Sequence, residues 1–301
     1  MKRVILYNPK SNEGRAKEIW KDFVRDFPAF KQHAYDVTKI KHLGSFLREN
    51  APELVVIAGG DGTINSVGTA VLQLRKQPKL AILPLGFGNA LSYSFGVETL
   101  QKALEVIEHP EKFVSIDVMK TNLKNVPIGL FNIGTGFDAR IVHDFNTRKY
   151  IGIRSYIFSG FQSIMFHPDS EITFTIDHTV KLSALASSLM VANGPTIGYN
   201  YLVAPEAKLN DGKLDCTLFS TKVAYLTNLR LRGFKHPLYS KMNKVHFQAK
   251  HIKIEGEPFV QIDGEPVDQP NGLEISMHPK KLTFFYHPDI LQEKEAAPFL
   301  V

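Results

Sequence analysis

The stretch VVIAGGDGTINSV, residues 55–67, limits what this chain can fold into more than any other segment. An unbroken apolar run reads as a strand buried on both faces, the kind found inside parallel sheets. It runs directly into Gly59-Gly60-Asp61-Gly62-Thr63. Buried parallel strands end at the carboxyl edge of their sheet, where open α/β folds bind ligands. Glycines there let backbone N–H groups approach an anion, and a helix beginning at Thr63 adds its partial positive charge. The Thr63 hydroxyl serves either as that helix's cap or as a donor to the anion. Asp61 is the odd member, because a carboxylate repels phosphate unless a cation intervenes or a proton is being moved. Mg²⁺ with a nucleotide phosphate meets both conditions. Taken alone, Gly-Gly-Asp-Gly also describes an ordinary tight turn between strand and helix.

The first third of the chain alternates short apolar runs with amphipathic ones. RVILYN reads as a strand and GRAKEIWKDFVRDF as a helix with Ile19, Phe23 and Phe27 on one side. KQHAYDVT, LVVIAGG and KLAILPLG follow as strands, with HLGSFLREN and TINSVGTAVLQL as helices. This is the rhythm of a doubly wound α/β domain. After about residue 113 short strands separated by turn residues take over, among them VSIDVMKTNL, SEITFTIDHTV, KLDCTLFS and FVQIDGE. Helical periodicity there is confined to residues 153–166 and 222–234. A β-sandwich is the simplest second domain. The expected division is 1–115 for the α/β domain, 116–285 for the sandwich, and 286–301 for a tail that packs back on the first domain.

The net charge of +6 across 301 residues suits an anionic substrate or a negatively charged membrane surface. No zinc spacing, RNP-type strand or basic tail points to nucleic acid. Cys216 is the only cysteine, so no intrachain disulfide is available and a reducing cytosol fits. No segment has the apolar length of a bilayer span, so a membrane would be met peripherally.

Two further loops repeat the pattern of strand, polar loop and helix. YNPKSNEGRAK places Asn8 and Pro9 after the first strand, and LPLGFGNAL places Gly86, Phe87 and Gly88 after a later one. With these, the chain resembles the lipid kinase family of diacylglycerol kinases, sphingosine and ceramide kinases, and small bacterial lipid kinases. The resemblance continues through NIGTGFDA, VANGPTIGYNYLVAPEAKLNDGKLD and IDGEP, and covers nearly the whole chain. It implies a NAD kinase/diacylglycerol kinase-like α/β nucleotide-binding domain followed by a β-sandwich. It also implies ATP as donor, Mg²⁺ as cofactor and a lipid hydroxyl as acceptor.

Carried over by residue, the resemblance assigns Asn8, Pro9, Thr38, Gly59, Gly60, Gly62, Thr63, Gly86, Phe87 and Gly88 to the nucleotide. Arg148 and Arg154 lie where sphingosine kinases direct arginines at phosphate, or are solvated charges at a helix start. Asp211, with the carbonyls of Lys208 and Lys213, matches a magnesium position. Glu265 matches the general base of bacterial members, a role that sphingosine kinases give to the aspartate of the glycine loop, here Asp61. Asp138, in GFDAR, follows the strand where the family recognises the lipid headgroup.

Two positions depart from the family. Ser66 stands where GDGTxNE has its glutamate, and Phe87 replaces a hydroxyl-bearing residue of the third loop. NAD kinases share a glycine-aspartate-glycine loop and supply the alternative of a small-molecule kinase. A non-catalytic lipid- or nucleotide-binding relative is the other. The basic run LRLRGFKHPLYSKMNK suits an anionic bilayer or is a solvated face, and a homodimer is left open.

Overall fold

Four short parallel strands build the first layer of the computed structural model, which describes residues 1–146, 169–197, 201–228, 230–231, 244–256, 259–267 and 272–292. Strand β1 is Arg3–Tyr7, and helix α1 (Ala16–Asp26) returns over the sheet to β2 (Ala34–Asp36). Helix α2 (Leu43–Asn50) leads to β3 (Leu54–Gly59), and α3 (Asp61–Leu72) leads to β4 (Lys79–Pro84). Helices α4 (Ala90–Ser94) and α5 (Leu100–Glu108) complete this part. The strand order β2-β1-β3-β4 is parallel throughout, with Tyr7 opposite both Asp36 and Ala58, and Gly59 opposite Pro84. That register aligns the four carboxyl ends, so every polar loop singled out in the sequence leaves from one edge.

Every residue of β3 is buried, as its unbroken apolar run requires of a strand covered on both faces. The α1 face differs from expectation. Ala16, Trp20 and Phe23 are its buried residues, with Trp20 stacked on Tyr7. Phe27 lies past the last helical residue with φ −126° and ψ 70°, and packs against Phe23 and Phe30 while 37% exposed.

Strand β5 (Phe113–Thr121) carries the chain out of this layer. It is followed by β6 (Ile128–Gly129), β7 (Asn132–Thr135), α6 (Phe137–Asn146), β8 (Ser170–Ile176), β9 (Val180–Ala186) and β10 (Ser188–Ala192). Then come β11 (Thr196–Ile197), β12 (Tyr201–Leu202), β13 (Leu214–Phe219), α7 (Lys222–Asn228), β14 (Arg230–Leu231), β15 (Lys244–Ala249) and β16 (His251–Glu255). The hairpin β17 (Val260–Ile262) and β18 (Glu265–Val267) precedes the long strand β19 (Leu273–Phe285).

Six strands in the order β15-β13-β10-β7-β17-β18 form one sheet of the sandwich, and β11-β12-β14 form a small separate one. The opposing layer continues the first domain's sheet through β4-β19-β16-β8-β9. Ile133, Leu189, Val191 and Cys216 of the six-stranded sheet pack with Ile172, Ile252 and Ile275 of that layer. Met190 and Ala192 point the other way, into a cluster with Phe137 and Ile141 of α6 and Tyr225 of α7. Alternation thus persists in β10, but a helix layer hides its outer face and makes it read as uniformly apolar. Helix α6 is absent from the sequence expectations. Residues 153–166, and residues 229 and 232–234 of the second segment, lie outside the described residues.

Strand β19 ties the halves together. Its start pairs with β16, Phe284 near its end pairs with Leu80 of β4, and β5 runs antiparallel beside it on both sides of a register shift between His278 and Leu282. The carboxylate of Asp117, wholly buried on β5, holds this crossing. It accepts from the Lys280 amide at 2.7 Å and from the Gly212 amide at 2.6 Å. Asp117→Ala strands both amides and should lower unfolding free energy by about 2–5 kcal/mol. Urea unfolding at neutral pH measures this, and a loss below about 0.5 kcal/mol would contradict it.

Candidate active site

The site is built where the loops after β1 and β3 meet, the switch point of the β2-β1-β3-β4 order. Asn8 leaves β1 with its amide bonded to the Ala58 carbonyl at 2.9 Å, and its side-chain Nδ2 donates to Thr63 Oγ1 at 2.9 Å. Ser11 Oγ is 3.3 Å from the same hydroxyl and accepts from the Gly60 amide at 3.3 Å. Pro9 lies between, partly exposed. Thr63 therefore fastens the first loop to the second. It is not the helix cap, because α3 begins two residues earlier with Gly60 at the capping position. The Gly62 amide, in the first turn of α3, has no partner among the described residues.

The third loop lies against the second. A Cβ on Gly86 would overlap Gly60 Cα, and one on Gly60 would lie 2.9 Å from Gly86 Cα, so both positions need glycine for this approach. Asn89 takes a left-handed conformation at the start of α4, and its Nδ2 donates to the Gly86 carbonyl at 3.0 Å. Phe87 and Gly88 are partly exposed on the loop between them. At the other end of the row, Thr38 is exposed beyond β2, its hydroxyl donating to Asp36 at 2.7 Å.

Asp61 has a structural partner that the sequence does not reveal. Its Oδ2 accepts from the Ala90 amide at 3.0 Å and its Oδ1 from the Leu91 amide at 3.3 Å, so the carboxylate caps α4 and joins the second loop to the third. Burial raises its pKa to about 6. The Asp263 charge adds to that rise, and the two amides oppose it.

Glu265 meets the loop from the other domain. It opens β18 after the two-residue turn Asp263-Gly264, whose φ values of +52° and +85° suit the Asp-Gly pair of such hairpins. A methyl group on Gly62 would lie 3.5 Å from Glu265 Oε1. Although the residue is exposed as a whole, burial of its carboxyl group raises the pKa. Among the described residues nothing hydrogen-bonds to that carboxylate.

The turn is anchored by groups that the sequence reading missed. Asp263 Oδ2 accepts from the Leu130 amide at 2.7 Å and from Asn65 Nδ2 at 2.8 Å. Its Oδ1 accepts from the amides of Phe131 and Asn132 at 3.0 and 3.1 Å. Gln261 Oε1 accepts from the Gly264 amide at 2.8 Å, and its Nε2 donates to Asp138 Oδ2 at 2.8 Å. Tyr225 donates its hydroxyl to Asp138 Oδ1. Asp138 is 3% exposed, and burial raises its pKa against these two donors. At 3% exposure, Asp138 meets a headgroup only if the side chains covering it shift.

Asp211 stands apart from this group, in the loop that Asp117 anchors. Its Oδ1 accepts from the Lys213 amide at 3.1 Å, and burial with the nearby charges of Asp215 and Asp117 raises its pKa. Asn210 Oδ1 is buried without a partner among the described residues. Among the described residues no three His, Cys, Asp or Glu side chains are grouped to hold a metal. A cation here would depend on Asp211 and backbone oxygens, a donor set that fits hard Mg²⁺. Arg148 and Arg154 lie outside the described residues. Ser66, the first departure, turns its hydroxyl back to the Gly62 carbonyl at 2.9 Å.

Residues 2–121 match the diacylglycerol kinase catalytic domain, and residues 132–286 match the YegS C-terminal NAD kinase beta sandwich-like domain. The chain belongs to the diacylglycerol kinase and YegS-like lipid kinase family. Among its relatives is a protein of Enterobacter sp. (strain 638) named "Probable lipid kinase YegS-like", 31% identical over 251 residues, 79% of each chain. The diacylglycerol kinase of Bacillus subtilis (strain 168) is 24% identical over 307 residues, 93% of this chain and 98% of its own. A crystal structure of a Bacillus anthracis diacylglycerol kinase shares the fold at a TM-score of 0.67 and 23% identity, over 96% of this chain and 97% of that one.

The Asp61 environment gives this family member a definite pH signature. The folded state binds the Asp61 proton more tightly than the unfolded chain does, with a pKa of about 6 against an ordinary 3.8. The group therefore favours folding most below about pH 4, and that contribution is lost as pH rises through about 6. Asp61→Asn removes this dependence, so its stability relative to wild type should rise by about 1–3 kcal/mol between pH 4 and pH 7. Urea midpoints at both pH values check this; a difference that stays flat or falls would contradict it.

Proposed function

We propose that this chain transfers the γ-phosphoryl group of ATP to the hydroxyl of a lipid alcohol, such as a diacylglycerol or a sphingoid base, with Glu265 as general base. The observation that carries this reading is the Glu265 carboxylate: without a hydrogen-bond partner among the described residues, raised in pKa, and facing Gly62 of the glycine loop across the two domains. Asp61 is the weaker candidate for the base, since its oxygens are occupied by the Ala90 and Leu91 amides.

In this reading residues 1–115 hold the nucleotide. The Gly62 amide at the start of α3 receives phosphate oxygens, with Asn8, Pro9, Thr38, Gly59, Gly60, Gly62, Thr63, Gly86, Phe87 and Gly88 around the ATP. Residues 116–285 present the lipid. Glu265 takes the hydroxyl proton as the oxygen bonds to the γ-phosphorus, and the bond to the β-phosphate oxygen breaks to release ADP. A carboxylate with a raised pKa is better matched to that proton than one in the ordinary range. Asp211 with the carbonyls of Lys208 and Lys213 would hold a Mg²⁺ in the sandwich. Mg²⁺ accompanying the nucleotide neutralises phosphate charge when bound. A cytoplasmic protein docking on the face of a membrane suits the substrate and the net charge of +6, and among the described residues no helix is long and apolar enough to cross a bilayer.

Labelled ATP supplied with micelles of dioctanoylglycerol, sphingosine or ceramide tests the reaction. Wild type should phosphorylate at least one of them. Glu265→Gln should lower kcat by about 10²–10⁴-fold and leave the KM for ATP within about threefold. Undiminished turnover by the variant would remove Glu265 from its role, and no phosphorylated lipid from wild type would count against the whole reading.

A further inference from the structure

One helical turn from the approach of Glu265 to Gly62 lies a second contact between the same two elements. Asn65 follows Gly62 by three residues, so the two share a face of α3, about 4.5 Å apart along the axis. Asp263 and Glu265 flank Gly264 in the hairpin. Helix and hairpin therefore meet at two rungs. One is Glu265 over Gly62, and the other is Asn65 Nδ2 donating to Asp263 Oδ2 at 2.8 Å. The same Nδ2 donates to the Ile128 carbonyl at 3.0 Å. Both partners can only accept, so the side-chain nitrogen must face them.

Asp263 is in turn fixed by the amides of residues 130–132, and its own amide donates to the Asn132 carbonyl at 2.9 Å. The hairpin corner thus has one attachment to its own sheet and one to the phosphate-loop helix. Among the described residues the hydrogen bonding of the second runs through a single side chain, that of Asn65. We infer that Asn65 and Asp263 are positioning residues that set where the Glu265 carboxylate stands over the phosphate loop, Asn65 acting through Asp263 and touching neither nucleotide nor lipid. The inference rests on Glu265 being the general base.

Asn65→Asp changes one atom type and leaves three acceptors facing one another with no donor between them. The variant is assayed beside wild type, Glu265→Gln and the double variant, with ATP and dioctanoylglycerol or sphingosine micelles. Asn65→Asp should lower kcat at least about tenfold, with the KM for ATP within about threefold. In the Glu265→Gln background it should cost less than about twofold more, since a group that acts only by placing the base has nothing left to place. A general loosening of the fold would instead lower both backgrounds alike, and such additive losses, or an Asn65→Asp variant as fast as wild type, overturn the inference. If Glu265→Gln is itself as active as wild type, the general-base reading falls and takes this inference with it. Should Asn65→Asp not fold, Asn65→Ala goes through the same cycle with the same two outcomes. A readout free of turnover uses the ¹³C shift of the Glu265 carboxyl against pH. Its titration lies above the ordinary glutamate range in wild type and returns toward it in Asn65→Ala; an unmoved titration overturns the inference.

Discussion

A buried carboxylate at a hairpin corner holds the geometry of this molecule. Asp263 is 5% exposed and meets four donors, three of them consecutive backbone amides and the fourth Asn65 of the helix that follows the glycine loop. Desolvating a charge is costly, and here the cost is offset by hydrogen bonds that each carry a charge on one side. The opposing effects are visible in its pKa, which burial raises and these donors lower. Because the donors come from two domains, the interaction cannot form unless the sandwich and the α/β layer are already docked. Local turn geometry, inter-domain packing and the placement of Glu265 therefore depend on one another.

The carboxylates around this point divide into two kinds. Asp61, Asp117 and Asp263 are occupied by backbone amides, and each joins segments far apart in the chain. Asp138 is shared between Tyr225 and Gln261. All five carboxylates have raised pKa values, but among the described residues Glu265 alone of them accepts no hydrogen bond. Burial acts on all of them, but among the described residues only Glu265 is left with its lone pairs unclaimed, the state that the proposed general base requires.

The sequence speaks clearly where a feature is local. LVVIAGG and KLAILPLG are recognisable as buried strands because both faces of a parallel sheet are covered, and the glycine loops declare themselves by standing directly at the strand ends. Glu265 is visible as part of an Asp-Gly hairpin. Features that depend on distant partners are not visible. Asn65 and Asp263 are 198 residues apart, and neither residue type hints at the other. Asp61 looks as though it must serve a metal or a proton because the helix it caps begins 29 residues later. Thr63 reads as a cap because hydroxyl residues commonly are, but Asn8 and Ser11 claim its hydroxyl from the neighbouring loop. Helix α6 escapes notice because its buried face mixes Phe137, Ala139, Ile141 and Val142 with the carboxylate of Asp138, directly after a glycine-rich strand end.

The central claim is spatial: the phosphate to be transferred lies between the start of α3 and the Glu265 carboxylate. A crystal structure with Mg²⁺ and a non-hydrolysable ATP analogue tests it most directly. The account predicts terminal phosphate oxygens at the Gly62 amide, the Asn65–Asp263 bond intact, and Glu265 facing the γ-phosphorus from the side opposite the β,γ-bridging oxygen. A nucleotide whose phosphates lie away from the start of α3, or a Glu265 carboxylate turned away from the γ-phosphate, would contradict it.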